Sequence, residues 1–261
     1  MGARTATSKL SISAPNPLRM EVALVTVGDE LLAGRTINTN ATWICAQLDE
    51  RGVDVERVTT VPDRIGDIAR VVNEYHAEYD AVIVTGGLGP THDDVTMEAV
   101  AAAFGRDLEP NADALAWLED EGGYSRHDLT DGTTHLPRGA RALHNIEGVA
   151  PGCVIGSAYV LPGVPTEMKP MFETVADEFN GAARYREVVA VDEPESALLD
   201  RMAELRDRFD VRVGSYPGEL VRISIQGRDE AVVADAVAWL RANVDEREET
   251  PGGDAEGTRR E

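Results

Sequence analysis

Residues 80–96 read D-A-V-I-V-T-G-G-L-G-P-T-H-D-D-V-T. Residues 81–85 are apolar and rich in β-branched side chains, which is typical of a strand buried on both faces of a parallel sheet. Residues 95–104 carry apolar side chains at helical spacing, and cap-type residues precede them, which predicts a helix that begins near Asp93. A strand that passes through glycines into a helix indicates an α/β unit.

The loop between this strand and this helix contains Gly86, Gly87 and Gly89. Backbone N–H groups and the positive end of the helix dipole point into such a crevice, which favours phosphate binding. Glycine also lets a ligand approach the backbone without meeting a Cβ atom. Alternatively, the same residues form a tight turn with an aspartate cap. If the loop binds phosphate, its candidate contacts are Thr85, Gly86, Gly87, Leu88, Gly89, Pro90 and Thr91.

Asp93 and Asp94 lie directly after this loop. Two carboxylates would repel a phosphate unless a divalent cation bridges them, and carboxylate and phosphate oxygens suit Mg²⁺ or Mn²⁺. In an enzyme, we expect such a cation, Mg²⁺, Mn²⁺ or Co²⁺, to be held by Asp63, Asp93 or Asp94.

The preceding residues alternate between strand and helix patterns, at residues 22–27, 38–50, 53–60 and 65–76. This rhythm predicts right-handed crossovers and a parallel sheet. The carboxyl ends of parallel strands meet at one edge, where ligands bind, and each of these strand ends carries acidic residues. We therefore expect a convergence of Asp29, Glu30, Asp63, Asp93 and Asp94. The first strand also contributes Gly28 as a candidate ligand contact, and Asn38 and Asn40 are helix caps with ligand contact as a secondary role.

A second junction of this type follows a predicted hairpin at residues 153–155 and 158–161. It reads L-P-G-V-P-T-E at residues 161–167, and Pro165 suits the first turn of a helix. If this junction faces the glycine loop, it forms a second wall of the same site. Its candidate ligand contacts are Gly163, Pro165 and Glu167.

The charge of the chain restricts its partners. Lys and Arg total 25 against 47 Asp and Glu, which gives a net charge of −22. Such a surface repels nucleic acid and anionic membranes, and no apolar run reaches the length of a membrane span. An acidic, lysine-poor surface fits a protein kept soluble in concentrated salt, so we expect a halophilic cytoplasm.

Composition and pattern also predict the domain boundaries. Residues 1–19 are polar and aperiodic, which predicts a disordered extension rather than a secretory signal. The α/β domain then occupies residues 20–182, and a β-α-β-β-α pattern predicts a small α+β domain at residues 183–244. Residues 245–261 are acidic and glycine-rich, which predicts a disordered tail.

Four motifs carry a resemblance to a known family. They are V-G-D-E-L-L-A-G-R-T-I-N-T-N, T-G-G-L-G-P-T-H-D-D-V-T, G-V-A-P-G and L-P-G-V-P-T-E-M-K, in this order. They resemble the amino-terminal part of the CinA family (competence/damage-inducible protein A), which is related to molybdopterin-binding MoaB/Mog domains. The resemblance implies a MoaB/Mog-like fold, with a mostly parallel sheet flanked by helices. It does not extend to the carboxy-terminal deamidase domain of long CinA proteins.

The resemblance also implies a function and two catalytic residues. Asp94 is similar in position to the acidic residue after the glycine loop of Mog-like proteins, and Asp63 to their other functional aspartate. CinA-like proteins are associated with metal-dependent hydrolysis of the pyrophosphate bond of ADP-ribose. The alternative is a protein that binds molybdopterin without cleaving it, in molybdenum cofactor biosynthesis. The partner is then a nucleotide or a pterin, and the relatives imply a homo-oligomer by analogy.

Overall fold

The protein is represented by a computed structural model that describes residues 19–125, 127 and 129–247. The chain divides into two compact units, and the boundary falls between Ala182 and Ala183. Separate clusters of buried apolar side chains hold each unit together.

The first unit alternates strands and helices along much of its length. Its strands are β1 (Glu21–Val27), β2 (Asp54–Val61), β3 (Ala81–Thr85), β4 (Leu108–Pro110), β5 (His135–Pro137), β6 (Arg141–Leu143), β7 (Gly152–Ile155) and β8 (Ala158–Leu161). Its α-helices are α1 (Asp29–Leu32), α2 (Thr39–Glu50), α3 (Ile65–Glu78), α4 (Thr96–Ala103), α5 (Ala112–Asp120) and α6 (Pro165–Glu173), and a 3₁₀-helix follows at Ala176–Glu178. Within the described residues, no helix is both long enough and apolar enough to span a bilayer.

The central sheet has the strand order β2-β1-β3-β8-β7-β6. Strand β1 runs parallel to both β2 and β3, and β3 runs parallel to β8. Strands β7 and β6 continue the sheet in antiparallel pairing. Every residue of β3 is buried, as expected for an interior strand of a parallel sheet. The predicted α/β class with a mostly parallel sheet is confirmed.

Apolar side chains cover both faces of this sheet. Successive side chains of a strand point to opposite faces, so Val82 and Val84 of β3 join the cluster that contains α3 and α4. Ile83 joins the other cluster, with Ile44 of α2 and Phe172 of α6. Each large apolar side chain buried in this way contributes about 1.5–3 kcal/mol. Because helices cover both faces of the sheet, a ligand-binding site is expected at its edges.

The second unit is a small α+β module. Its elements are β9 (Tyr185–Val191), α7 (Glu195–Arg208), β10 (Arg212–Tyr216), β11 (Val221–Gly227) and α8 (Glu230–Arg241). The strands pair antiparallel in the order β10-β11-β9. Val189 and Ile223 of the sheet share one buried cluster with Leu198 of α7 and Val237 of α8. The predicted β-α-β-β-α order is confirmed.

The structure corrects the predicted start of the first domain. Arg19, which the sequence assigned to a disordered extension, forms ion pairs with Glu21 at 3.0 Å, Asp54 at 3.0 Å and Glu56 at 2.5 Å. These acids belong to β1 and β2, so the ordered domain includes Arg19. The prediction missed this because its partners in β2 are more than thirty residues away. The rest of the predicted extension, residues 1–18, lies outside the described residues.

The structure also corrects the predicted start of the tail. The N–H of Asp192 donates to the carbonyl of Asp245 at 3.0 Å, and the N–H of Arg247 donates to the carbonyl of Ala190 at 3.1 Å. Residues 245–247 therefore pair with the end of β9. Their acidic composition predicted disorder, but backbone pairing does not depend on side-chain polarity. The remainder of the predicted tail, residues 248–261, lies outside the described residues.

Replacing Arg19 by Ala is expected to lower the free energy of unfolding by about 1.5–3 kcal/mol, the range for hydrogen bonds to charged groups. Asp54 is only 3% exposed, so water cannot readily replace the guanidinium at its carboxylate. Urea denaturation followed by circular dichroism measures the change.

Arg70→Ala is the matched control, because Arg70 pairs with Asp67 at 3.7 Å on the surface. Such an exposed pair contributes about 0–1 kcal/mol. Equal effects of the two substitutions would show that Arg19 does not belong to the folded domain.

Candidate functional site

The carboxyl ends of β1, β3 and β8 meet at one edge of the sheet and border a cleft of about 90 Å³. The cleft is lined by Thr26, Val27, Glu30, Leu31, Thr36, Ile37, Asn38, Thr39, Asn40, Thr85, Gly86, Gly163 and Pro165. Of the predicted ligand contacts, this lining includes Glu30, Asn38, Thr85, Gly86, Gly163 and Pro165. The cleft therefore lies between the glycine loop and the predicted second wall.

Gly86 is the point where the strand ends come closest. Its φ is +108°, and a Cβ atom there would lie 2.3 Å from the carbonyl oxygen of Val27 at the end of β1. Its N–H donates to the carbonyl of Leu161 at the end of β8, at 3.2 Å. A Cβ atom on Gly163 would lie 3.2 Å from the Cα of Gly86. Only glycine fits at residue 86, and the two predicted walls meet backbone to backbone.

The helix after the glycine loop begins later than the sequence predicted. Helix α4 starts at Thr96, and its cap residue Val95 has no side-chain capping bond. The carboxylate of Asp94 instead accepts from the N–H of Thr91 at 3.0 Å and from its hydroxyl at 2.5 Å. The predicted start near Asp93 is wrong because Asp94 braces the loop rather than capping the helix. Asp93 itself is exposed.

The acidic residues of the first and second strand ends come together as predicted. The N–H of Asp29 donates to Oδ2 of Asp63 at 2.7 Å. Burial raises the pKa of the Asp63 carboxyl, and the N–H of Asp29 opposes that rise. The negative charges of Glu30, Asp29 and Asp94 raise this pKa further. Asp29, Glu30, Asp63 and Asp94 thus share one electrostatic environment, in which a bound cation would be favoured.

These carboxylates do not form a complete metal cage. Among the residues that the structure describes, no group of three or more His, Cys, Asp or Glu side chains is arranged to hold a metal ion. Mg²⁺, however, is commonly held by one or two carboxylates together with the phosphates of a substrate. The residues present therefore fit a cation that is shared with a phosphate ligand, and they do not fit a cation held by protein alone.

Other predicted ligand contacts do not line the cleft. Glu167 accepts from Nδ2 of Asn145 at 2.7 Å, and this amide also donates to the carbonyl of Ala150 at 3.0 Å. Glu167 therefore braces the loop that carries the G-V-A-P-G motif. Gly28 is buried, and its N–H donates to the carbonyl of Val61 at 3.1 Å. Leu88 packs against the core, Gly89 adjoins the Asp94 carboxylate, and Pro90 is exposed.

Several cleft residues, such as Thr26, were not predicted as ligand contacts, and for Asn40 ligand contact is predicted only as a secondary role. Thr26 is 1% exposed. Its hydroxyl forms a hydrogen bond with the hydroxyl of Thr60 at 2.9 Å and accepts another from Nδ2 of Asn38 at 3.0 Å. Asn40 projects from the first turn of α2 towards the second wall, where it binds the carbonyl of Gly163. The available signal was the polar run T-I-N-T-N at residues 36–40, directly after a strand end that carries acids. The pattern predicts helix caps at both asparagines, with ligand contact as a secondary role.

Comparison with known proteins places this architecture in a family. Residues 23–180 match the family described as a probable molybdopterin binding domain. A protein from Archaeoglobus fulgidus is 36% identical over 220 residues, which cover 84% of this chain and 95% of that protein. A CinA-like protein from Citrifermentans bemidjiense is 45% identical over 170 residues, which cover 62% of this chain and 41% of that protein.

A solved structure agrees with these matches. The protein CinA from Thermoplasma acidophilum, described as of unknown function, is 36% identical, with a TM-score of 0.57. The likeness covers 62% of this chain and 98% of that one. The chain belongs to the CinA family.

The family match and the cleft occupy the same part of this CinA-family protein. Residues 23–180 include every residue that lines the cleft, and they end just before the unit boundary at Ala182. The second unit, from Ala183 onward, lies outside the matched domain. The candidate small-molecule site therefore lies in the first unit.

Asp63→Asn is expected to raise the melting temperature at neutral pH. Because the pKa of Asp63 is raised on folding, its folded form holds a proton more tightly than its unfolded form, so stability falls as pH rises through these pKa values. The amide avoids this cost and can still accept from Asp29. The gain should stay within about 2–4 °C, the shift that about 1 kcal/mol gives at this size. It should vanish below the ordinary pKa of 3.8.

The melting temperature measured by calorimetry across this pH range checks the prediction. Asp235→Asn, on the exposed face of α8, controls for the loss of one negative charge. If Asp63→Asn were no more stable than this control at neutral pH, the ionised carboxylate of Asp63 would not be destabilising the folded state.

Proposed function

We propose that the cleft binds a nucleotide pyrophosphate such as ADP-ribose together with a divalent cation, and that the protein hydrolyses the pyrophosphate bond. The observation that carries this proposal is the position of the acidic group around Asp63 next to the glycine loop. The extreme acidity of the chain supports a halophilic cytoplasm as its setting. Assays therefore belong in concentrated KCl.

The glycine loop supports the phosphate part of this proposal. At Gly86 and Gly87, φ is positive and no Cβ atom is present, and the N–H of Gly86 is bonded to the carbonyl of Leu161. The proposed phosphate would therefore be bound by the other N–H groups of the loop, which a ligand can approach without meeting a Cβ atom at Gly87. The start of α4 follows, and its dipole favours an anion by about 0.3–1 kcal/mol when exposed and up to about 2 kcal/mol when partly buried.

The acidic group around Asp63 supports the part of this proposal that concerns the cation. At an effective dielectric constant near 20, two unit charges 4 Å apart interact by about 4 kcal/mol. Repulsion between a phosphate and even one carboxylate at that distance exceeds the helix-dipole term. A pyrophosphate therefore binds here only if a cation offsets the charges of residues such as Asp63 and Asp94. Such a cation, Mg²⁺, Mn²⁺ or Co²⁺, would neutralise the phosphoryl oxygens and lower the pKa of a bound water.

Asp94 and Asp63 have different roles in the proposed reaction. Asp94, which braces the glycine loop through Thr91, keeps the phosphate-binding backbone in place. Asp63 has Oδ2 engaged by the N–H of Asp29, so Oδ1 is the atom that accepts the proton of the attacking water. The water oxygen bonds to the phosphorus on the ribose side, the bond from this phosphorus to the oxygen of AMP breaks, and the products are ribose 5-phosphate and AMP.

A second function is favoured by the family description. A probable molybdopterin binding domain suggests that the same cleft holds molybdopterin, which also carries a phosphate, without cleaving it. The protein would then act as a carrier or in a step of molybdenum cofactor biosynthesis. Both functions use the glycine loop, and only hydrolysis requires the proton acceptor at Asp63. Relatives of this type support a homo-oligomer as the working form by analogy only.

Binding of ADP-ribose is expected to depend on the cation. Calorimetric titration at fixed high ionic strength should give at least about tenfold tighter binding in excess Mn²⁺ than in chelator, equivalent to about 1.4 kcal/mol. The reason is that the acidic group repels the pyrophosphate when no cation is present. Equal affinity in the two conditions would refute the cation-bridged site and favour a simple binding module.

Hydrolysis is expected to require both aspartates. Purified protein with Mn²⁺ and ADP-ribose should release AMP, and Asp63→Asn should lower the rate by about 10²–10⁴-fold, the range for a general base. Asp94→Asn should also slow the reaction because it weakens the brace on the loop. Asp235→Asn is the control for lost charge. Cation-dependent binding with no AMP from the wild type would support the molybdopterin carrier instead.

A further inference from the structure

Asn40 connects three parts of the cleft through one amide group. It lies in the first turn of α2, and its Nδ2 donates to the carbonyl of Gly163 at 2.7 Å. The same nitrogen lies 3.4 Å from the hydroxyl oxygen of Thr85 at the end of β3. That hydroxyl donates to the carbonyl of Pro162 at 2.6 Å. Asn40 and Thr85 therefore fasten the second wall to the glycine-loop wall at adjacent residues.

The orientation of this amide is set by its neighbours. Rotating it by 180° would place Oδ1 against the carbonyl oxygen of Gly163, where two acceptors repel each other. In the orientation observed, Oδ1 is buried and has no hydrogen-bond partner among the described residues. A buried acceptor in this state destabilises the fold, and native structures contain few of them. The bond from Asn40 to Gly163 therefore fixes the amide in the orientation that leaves Oδ1 without a partner.

We propose that Asn40 is a positioning residue, which holds the Gly163 wall against the glycine loop so that both contact one elongated ligand. This proposal rests on the proposed function and refines it. The glycine-loop wall takes the pyrophosphate, and the Gly163 wall takes the part of the ligand beyond it, such as the sugar. Asn40 acts through the backbone of Gly163.

The local geometry limits what else could hold this wall. The end of β8 is already fixed by the N–H of Gly86, which donates to Leu161, and by Thr85, which donates to Pro162. Gly163, however, is exposed and begins the turn into α6. Of the contacts described here, the one from Asn40 is the polar contact that ties Gly163 across the cleft. Loss of this amide should free the turn without unravelling the strand.

Two probes separate this role from the phosphate site itself. Inorganic pyrophosphate reaches the glycine loop and the cation, whereas ADP-ribose also extends along the second wall. In Asn40→Ala, affinity for ADP-ribose in excess Mn²⁺ should fall about three- to tenfold, as expected for one hydrogen bond that orders a wall. Affinity for pyrophosphate should change by less than about twofold. Calorimetric titration of both probes on the full chain gives this comparison.

Stability supplies the second readout. Asn40→Ala removes the unpartnered acceptor and places a good helix former in α2, so its melting temperature should equal or exceed that of the wild type. Asn73→Ala is the matched control, because Nδ2 of Asn73 also donates to one backbone carbonyl, that of Ala103, at 3.0 Å. Asn73 lies in α3 and does not line the cleft. This control should lower the melting temperature slightly and leave both affinities unchanged.

The outcomes distinguish the two proposals. Selective loss of ADP-ribose affinity without loss of stability supports the positioning role. Equal loss for both probes, no loss for either, or a fall in melting temperature greater than that of Asn73→Ala overturns it and leaves the proposed function intact. If the wild type binds neither probe in Mn²⁺, the proposed function fails, and the role of Asn40 fails with it.

Discussion

The close approach of three strand ends at Gly86 is the constraint on which the rest of the site depends. The carbonyl of Val27 occupies the space that a side chain at residue 86 would need, and the N–H of Gly86 is bound to Leu161. This contact brings the end of β1 beside the ends of β3 and β8. The acids that follow β1 therefore lie next to the glycine loop that follows β3. A larger residue at this position would separate them, whatever the rest of the sheet did.

This convergence creates a conflict that defines the chemistry of the cleft. A glycine loop before a helix favours an anion, whereas the group formed by Asp29, Glu30, Asp63 and Asp94 repels one. Burial raises the pKa of Asp63, and the negative charges of Glu30, Asp29 and Asp94 raise it further. Neither feature would be informative alone, since glycine turns and capping aspartates are common. Their contact is what favours a ligand that brings negative oxygens together with a positive ion.

Sequence reasoning succeeded where the signal was local or periodic. It placed β3 at residues 81–85, found Asn38 as the cap of α2, and predicted Pro165 in the first turn of α6. The rule for parallel sheets predicted the convergence of Asp29, Glu30, Asp63 and Asp94, whereas Asp93, which was expected to join them, is exposed. Sequence reasoning failed where a polar side chain had two local uses, as at Asp94, which binds Thr91 instead of capping α4. It did not predict the bond from Asn40 to Gly163, because the two residues are 123 positions apart and no local pattern indicates such a bond.

The distribution of unfavourable features supports the view that this edge serves a ligand rather than the fold. Two of the buried polar atoms that lack a partner within the described chain, Oδ1 of Asn40 and Oγ1 of Thr96, lie at the cleft or directly behind the glycine loop. The third, Oγ of Ser215, lies in the second unit. Gly86 and Gly87 add left-handed backbone, and Asp63 adds a carboxyl that resists ionisation. A sheet edge selected for stability alone would lose these features through single substitutions at Asn40, Thr96 or Asp63. Their occurrence together at one edge of the sheet is what a site maintained for binding would produce.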